Sequence, residues 1–213
     1  MRLILVYSID FARLVLEQLH FAAPTASLFD KTALGNTEIL ELGNRAGTGL
    51  LSIALSAWVK NYIVTDIHEI LPLLEKNILL NYAGSADATN ISIAELDWLS
   101  LHTMPTKQRS RVFQFPDVDL VLVVDCIYHP SLMPALVDAI DYLSTPGRTT
   151  VTVVVELRDE DAVRMFLELW LGIPGWEIWR IGRSNGLPRP YVIWVGRKTD
   201  GDNKQGSAYE GKA

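Results

Sequence analysis

Residues 118–125 (VDLVLVVD) carry a nearly continuous apolar run, and residues 149–156 (TTVTVVVE), rich in valine and threonine, read as a second buried strand. Side chains alternate between the faces of a strand, so a strand that is apolar throughout must be covered on both faces. A parallel sheet with helices on either side meets that condition. The rest of the pattern agrees. Short apolar runs at residues 37–42 (TEILEL), 62–66 (YIVTD) and 91–95 (ISIAE) alternate with helical spacing at about residues 48–58, 70–81, 131–143 and 160–171. Gly35-Asn36 reads as a helix stop ahead of the first run. Residues 176–181 and 191–197 leave no room for a helix between them, so they should pair as an antiparallel hairpin. The expected fold is α/β: a doubly wound, seven-stranded, mostly parallel sheet ending in that hairpin.

The ends set the domain. Asp10, Arg13 and Glu17 interrupt the apolar residues 1–23, which is too many charges for a membrane span and too early for a secretion signal. Ile9, Ala12, Leu16 and Leu19 share a helical face, so a short amphipathic helix should cover the sheet. Residues 199–213 lack apolar periodicity and read as a solvated, disordered tail, leaving one domain over residues 1–198. The 25 acidic residues against 19 basic ones speak against a broad nucleic-acid face. The single cysteine, Cys126, allows no disulfide within the chain and fits cytoplasm or nucleus. It offers, with four histidines, no zinc-ligand spacing.

In a doubly wound sheet, ligands sit beyond the carboxyl ends of the strands. The first such end is Glu41-Leu42-Gly43-Asn44-Arg45-Ala46-Gly47-Thr48-Gly49. A glycine-rich turn opening a helix suits a nucleotide-like cofactor, and it equally suits a tight strand-to-helix connection. Asp66 ends the next strand, where an acid can accept from both ribose hydroxyls or cap a helix. Asp97-Trp98 ends the third. A carboxylate there can accept from an adenine amino group and an indole can pack on the purine, or the pair can be a turn acid beside a core tryptophan. The dinucleotide fingerprint G-x-G-x-x-G is absent, since Arg45 stands two residues after Gly43. That counts against NAD, although the residues alone leave NAD and S-adenosylmethionine both open. The Arg45 side chain is expected to point out of the turn, because a guanidinium would repel a sulfonium.

The fourth strand ends in Asp125-Cys126-Ile127-Tyr128-His129-Pro130. An acid at the end of a buried strand needs a partner or a task. Asp125 and Tyr128 can line a channel for a cation, or Asp125 can cap the next helix while Tyr128 packs. Cys126 reads as a small buried residue, and His129 lacks an oriented acidic partner for general-base work. Lys107, Arg109 and Arg111 read as basic residues of a long solvated loop, residues 99–117, and residues 182–190 as a rim at the cofactor edge.

The run ELG–GTGLL, VTD, LLEKNILLN, LDW and DLVLVVDCIYHPSLMPALVDAI resembles the seven-strand protein-lysine methyltransferases with an Asp/Glu-x-x-Tyr motif after the fourth strand. The later VVVELRDEDAVRMFLELW and YVIWVGRK look like the fungal ribosomal lysine methyltransferase 5 branch. The resemblance implies a class I methyltransferase fold and S-adenosylmethionine as cofactor. It implies that Gly43 and the Gly47–Gly49 turn, with Glu41 beside them, hold the methionine part. Asp66 would hold the ribose, and Asp97 and Trp98 would lie by the adenine. Asp125 and Tyr128 would line the acceptor-lysine channel. The implied partner is a protein substrate, a large-subunit ribosomal protein or another translation-related protein, met by a monomer without membrane or direct nucleic-acid contact. A small-molecule or nucleic-acid methyltransferase, or a fold that has lost turnover, are the alternatives. DCIY in place of the Asn/Asp-Pro-Pro-aromatic turn argues against base methylation.

Overall fold

Strand β4 (Leu120–Val124) is buried at every position and organises the sheet. Leu120, Leu122 and Val124 join one apolar cluster while Val121 and Val123 join the other, so successive residues serve opposite faces. The computed structural model describes residues 2–21, 29, 31–43, 47–82, 90–181 and 191–199. The expectations for the Arg45 side chain, the rim at 182–190 and the tail beyond Thr199 lie outside these residues.

The other strands are β1 (Glu38–Leu42), β2 (Asn61–Asp66), β3 (Ile91–Glu95), β5 (Thr150–Glu156), β6 (Trp176–Ile181) and β7 (Tyr191–Lys198). Their order is β3-β2-β1-β4-β5-β7-β6. The pairs from β3 to β5 are parallel, whereas β7 runs antiparallel to both β5 and β6. The chain direction across the sheet reverses between β1 and β4, the place where an open α/β sheet leaves a crevice at its carboxyl edge. This is the expected architecture, with the detail that β7 lies inside the sheet and β6 forms its edge.

Helices α1 (Arg2–Phe21), α3 (Leu50–Leu55) and α4 (Leu71–Asn81) cover one face. Helices α5 (Trp98–Thr103), α7 (Met133–Leu143) and α8 (Glu160–Gly172) cover the other. A four-residue helix α2 (Lys31–Leu34) precedes β1 and ends at Gly35, as the stop signal requires. Among the described residues no helix is long and apolar enough to cross a membrane.

Two expectations are corrected. Helix α1 is 20 residues long and buries Phe11, Ala12, Leu14, Val15 and Leu19, while Ile9 is 42% exposed. Apolar residues flank the Ala12–Leu19 line on both sides, and the larger apolar area of Phe11 decides which side turns inward. The supposed loop at 99–117 instead begins with α5 and α6 (Thr106–Val112). Arg109 is not free for docking there. Its Nη1 bonds Asp138 Oδ1 on α7 at 2.9 Å, and its Nε and Nη2 donate to the Met104 and His102 carbonyls at 3.1 and 3.2 Å. It clamps α5, α6 and α7 together.

Candidate active site

A cavity of about 390 Å³ opens at the carboxyl ends of the strands. Gly43, Asp66, Asp97, Trp98 and Tyr128 are all on its wall, with Ile67, Ile70, Leu96, Leu99 and Leu132 as apolar lining. Four strand exits thus converge, as the switch-point geometry dictates. The apolar lining was not singled out from the sequence. Glu41, Gly47, Gly49 and Asp125 are not among the lining residues.

Each glycine has its own physical reason. Gly43 sits at φ 61°, and a Cβ there would meet the Trp98 ring at 2.3 and 2.8 Å. The indole, rather than the turn itself, therefore makes the close approach at Gly43. Gly47 and Gly49 also have positive φ, and their missing side chains make room for Ile70 and Leu73, and for Ile78, respectively. These two let α4 and the segment before it pack beneath the turn.

Glu41 is buried and accepts a 2.8 Å bond from the Tyr62 hydroxyl. Burial pushes its pKa up to about 7 against the opposing effect of that bond, with Asp66 adding to the rise. Asp66 is itself buried, and its Oδ1 accepts from the Ile67 backbone N–H at 2.8 Å. Asp97 caps α5: Oδ1 accepts from Leu99 N at 3.0 Å and Oδ2 from the Ser100 hydroxyl at 2.6 Å. Trp98 is 8% exposed, and its indole Nε1–H has no hydrogen-bond partner among the described residues. A buried donor left in that state costs about 1–3 kcal/mol.

Beyond β4, Cys126 is buried and donates to the Leu42 carbonyl at 3.1 Å, with burial pushing its thiol pKa well up. It is structural, as its sequence context suggested. His129 accepts from the Ser131 backbone at 3.3 Å and lies 2.8 Å from the Ser131 hydroxyl, so it caps a short turn. Asp125 is the one described non-glycine residue with positive φ, at 55°. Its side chain is 6% exposed, and Arg158 Nη2 bridges both carboxylate oxygens at 2.8 and 3.0 Å. Burial raises Asp125 to about 6; Arg158 works against that rise and Glu156 adds to it. Arg158 escaped the sequence reading. Its signal was its place two residues past β5, the strand beside β4. No group of three or more His, Cys, Asp or Glu side chains among the described residues is placed to hold a metal.

A family model described as lysine methyltransferase matches residues 12–170, which contain every one of these groups. The chain belongs to the lysine methyltransferase family. Over 64% of its length it is 29% identical to protein-lysine N-methyltransferase EEF2KMT of Mus musculus, covering 42% of that protein. Over 51% it is 32% identical to protein-lysine N-methyltransferase EFM6 of Saccharomyces cerevisiae, covering 46% of it. Over 67% it is 33% identical to a Schizosaccharomyces pombe protein named diaminohydroxyphosphoribosylamino-pyrimidine deaminase, of which it covers 32%. The chain thus spans a third to a half of the length of these relatives. A zinc deaminase centre built on His-Cys-Cys needs two cysteines, and this chain has one. Among solved structures, an O-methyltransferase from Bacillus cereus in complex with SAH superposes with a TM-score of 0.55 at 18% identity, covering 92% of this chain and 90% of that one. At that identity the likeness establishes the fold: a Rossmann-like methyltransferase sheet.

Proposed function

We propose that this chain is an S-adenosylmethionine-dependent protein-lysine N-methyltransferase whose acceptor is a ribosomal or translation-related protein. One observation carries the reading. Tyr128 and Leu132, just after β4, share a single cavity with Gly43, Asp66 and Trp98. Tyr128 of the acceptor motif therefore faces the same hollow as the cofactor-type residues, with Asp125 three residues before it. The relative named ribosomal lysine N-methyltransferase 5, of Eremothecium gossypii, is 28% identical over 61% of this chain and supports the substrate class.

The residues present fit the cofactor. The cavity volume lies within the usual range for small-molecule sites, roughly 300–1,000 Å³. The Trp98 side chain forms part of its wall beside Asp97 and Asp66. When bound, the cofactor supplies an electrophilic methyl group on a sulfonium, open to in-line displacement by an amine. Asp66 is assigned to the ribose, Asp97 and Trp98 to the adenine side, and Gly43 to the methionine side. Gly47 and Gly49 seat the helix start against Ile70, Leu73 and Ile78, and Glu41 is held by the Tyr62 hydroxyl near the end of β1.

Asp125 and Tyr128 are assigned to the acceptor. A free lysine has a pKa of about 10.4, so deprotonating it near neutral pH costs about 4 kcal/mol. An apolar wall such as Leu132 and Leu99 lowers that cost by disfavouring the ammonium. Tyr128 adds a hydroxyl and a ring face, and the protein's main contribution is to position the amine. The reading takes a monomer in the cytoplasm or nucleus as the working form.

Calorimetric titration with S-adenosylhomocysteine, followed by labelled methyl transfer to an undermethylated ribosomal fraction, tests it. Binding together with label on lysine is expected. Absence of binding would remove the cofactor assignment, and binding without labelled protein would favour a non-protein acceptor or a fold without turnover.

A further inference from the structure

The chain leaves β5 in a tight turn in which Arg158 N donates to the Glu156 carbonyl at 2.9 Å. Asp159 then caps α8, its Oδ1 accepting from Ala162 N at 2.9 Å. Arg158 is therefore held between a strand end and a helix start. Opposite it, Asp125 N donates to the Val154 carbonyl at 2.8 Å, which extends the β4–β5 ladder to the acid itself. Two rigid backbones thus present a guanidinium to a carboxylate, and one nitrogen spans both oxygens.

We propose that Arg158 is a positioning residue for methyl transfer: it orients the Asp125 carboxylate and offsets its charge, so that the acceptor amine is held without being locked as an ammonium. The proposal rests on the assignment of Asp125 to the acceptor site. A bare carboxylate beside a lysine stabilises the protonated form, which has no lone pair to donate. A carboxylate already bridged by a guanidinium attracts the ammonium less, yet keeps lone pairs on each oxygen for an N–H donor. In the transfer, the N–C bond forms as C–S breaks, and the electron pair of the broken bond stays on sulfur. The acceptor's proton leaves to water beforehand.

Among the described residues, the charged and titratable groups that bear on Asp125 are Arg158 and Glu156 from the β5 exit and Cys126 beside it. Removing Arg158 leaves Glu156 unopposed. Asp125 is then either protonated and unable to accept two bonds, or ionised and able to trap the ammonium. Both outcomes move the reaction toward alkaline pH.

The test is the pH profile of kcat/KM for labelled methyl transfer between about pH 6 and 10, which spans carboxylate and lysine. Arg158→Gln should move the acid limb up by about one unit, the low end for loss of a close opposite charge, because Arg158 is 31% exposed. S-adenosylhomocysteine affinity should stay unchanged. Arg158→Lys should give a smaller shift. In an Asp125→Asn background the Arg158→Gln shift should vanish. A slower Arg158→Gln enzyme with an unmoved limb overturns the proposal and leaves a structural role. If that variant does not fold, an unmoved limb in the equally neutral Arg158→Met has the same force. Full transfer by Asp125→Asn would instead remove the acceptor-site assignment, a separate failure.

Discussion

Asparagine is the substitution that separates charge from shape at position 125. It tolerates the left-handed backbone at φ 55°, so the turn after β4 survives. A hydrogen bond to a charged group is worth roughly 1.5–3 kcal/mol, so Asp125→Asn should slow methyl transfer about tenfold or more at constant cofactor affinity. Tyr128→Phe should cost less, since the ring face remains. Gly43→Ala tests the other wall. Its Cβ falls 2.3 Å from the Trp98 ring, so we expect a loss of about 1–3 kcal/mol in urea unfolding and weaker S-adenosylhomocysteine binding by calorimetry. An unaltered variant would show that Trp98 moves freely. The place of Asp125 and Tyr128 just beyond β4 was legible in the sequence because that strand is unmistakably buried. Arg158 was not, because the β4–β5 pairing that brings it to Asp125 depends on strand order, which one chain's pattern does not display.

Among the elements, burial was the readable quantity and short helices were not. Strand β4 was evident from consecutive apolar residues, and Leu122→Ala should destabilise the fold by about 2–5 kcal/mol, read as a lower urea midpoint. Helix α5 has six residues, too few to show a period. It is held by the Asp97 cap, by burial of Trp98 and Leu101, and by the Arg109 clamp to α7. Asp97→Ala should therefore cost about 1 kcal/mol even without cofactor. A loss of cofactor affinity with unchanged stability would instead point to direct adenine contact. For α1, the expected Ile9–Leu19 face was off by part of a turn, because Phe11 and Val15 beside it bury more apolar area than Ile9 does.

Taken as a whole, the molecule carries an acid that disfavours alkaline conditions. Glu41 has an ordinary carboxyl pKa near 4.5 when unfolded and about 7 when folded, so the folded state holds the proton more tightly. Its contribution is fully present below about pH 4.5 and is lost as pH rises through about 7. Glu41→Gln keeps an acceptor for the Tyr62 hydroxyl and removes the titration. Unfolding free energies across this range should match the parent at the acid end and exceed it by on the order of 3 kcal/mol above about pH 7. Parallel curves would show that Glu41 does not titrate there.

The place of β7 inside the sheet gives the order of synthesis a meaning. A chain emerging from the ribosome makes β1 to β6 first, but β6 touches the sheet only through β7. Until Lys198 has been made, the TVTVVVE run of β5 is an open edge, apolar and rich in β-branched residues. Such an edge invites pairing with other chains. A nascent chain halted before Tyr191 should therefore be held by chaperones or aggregate rather than wait half-folded, and completion of the sheet waits on the synthesis of β7.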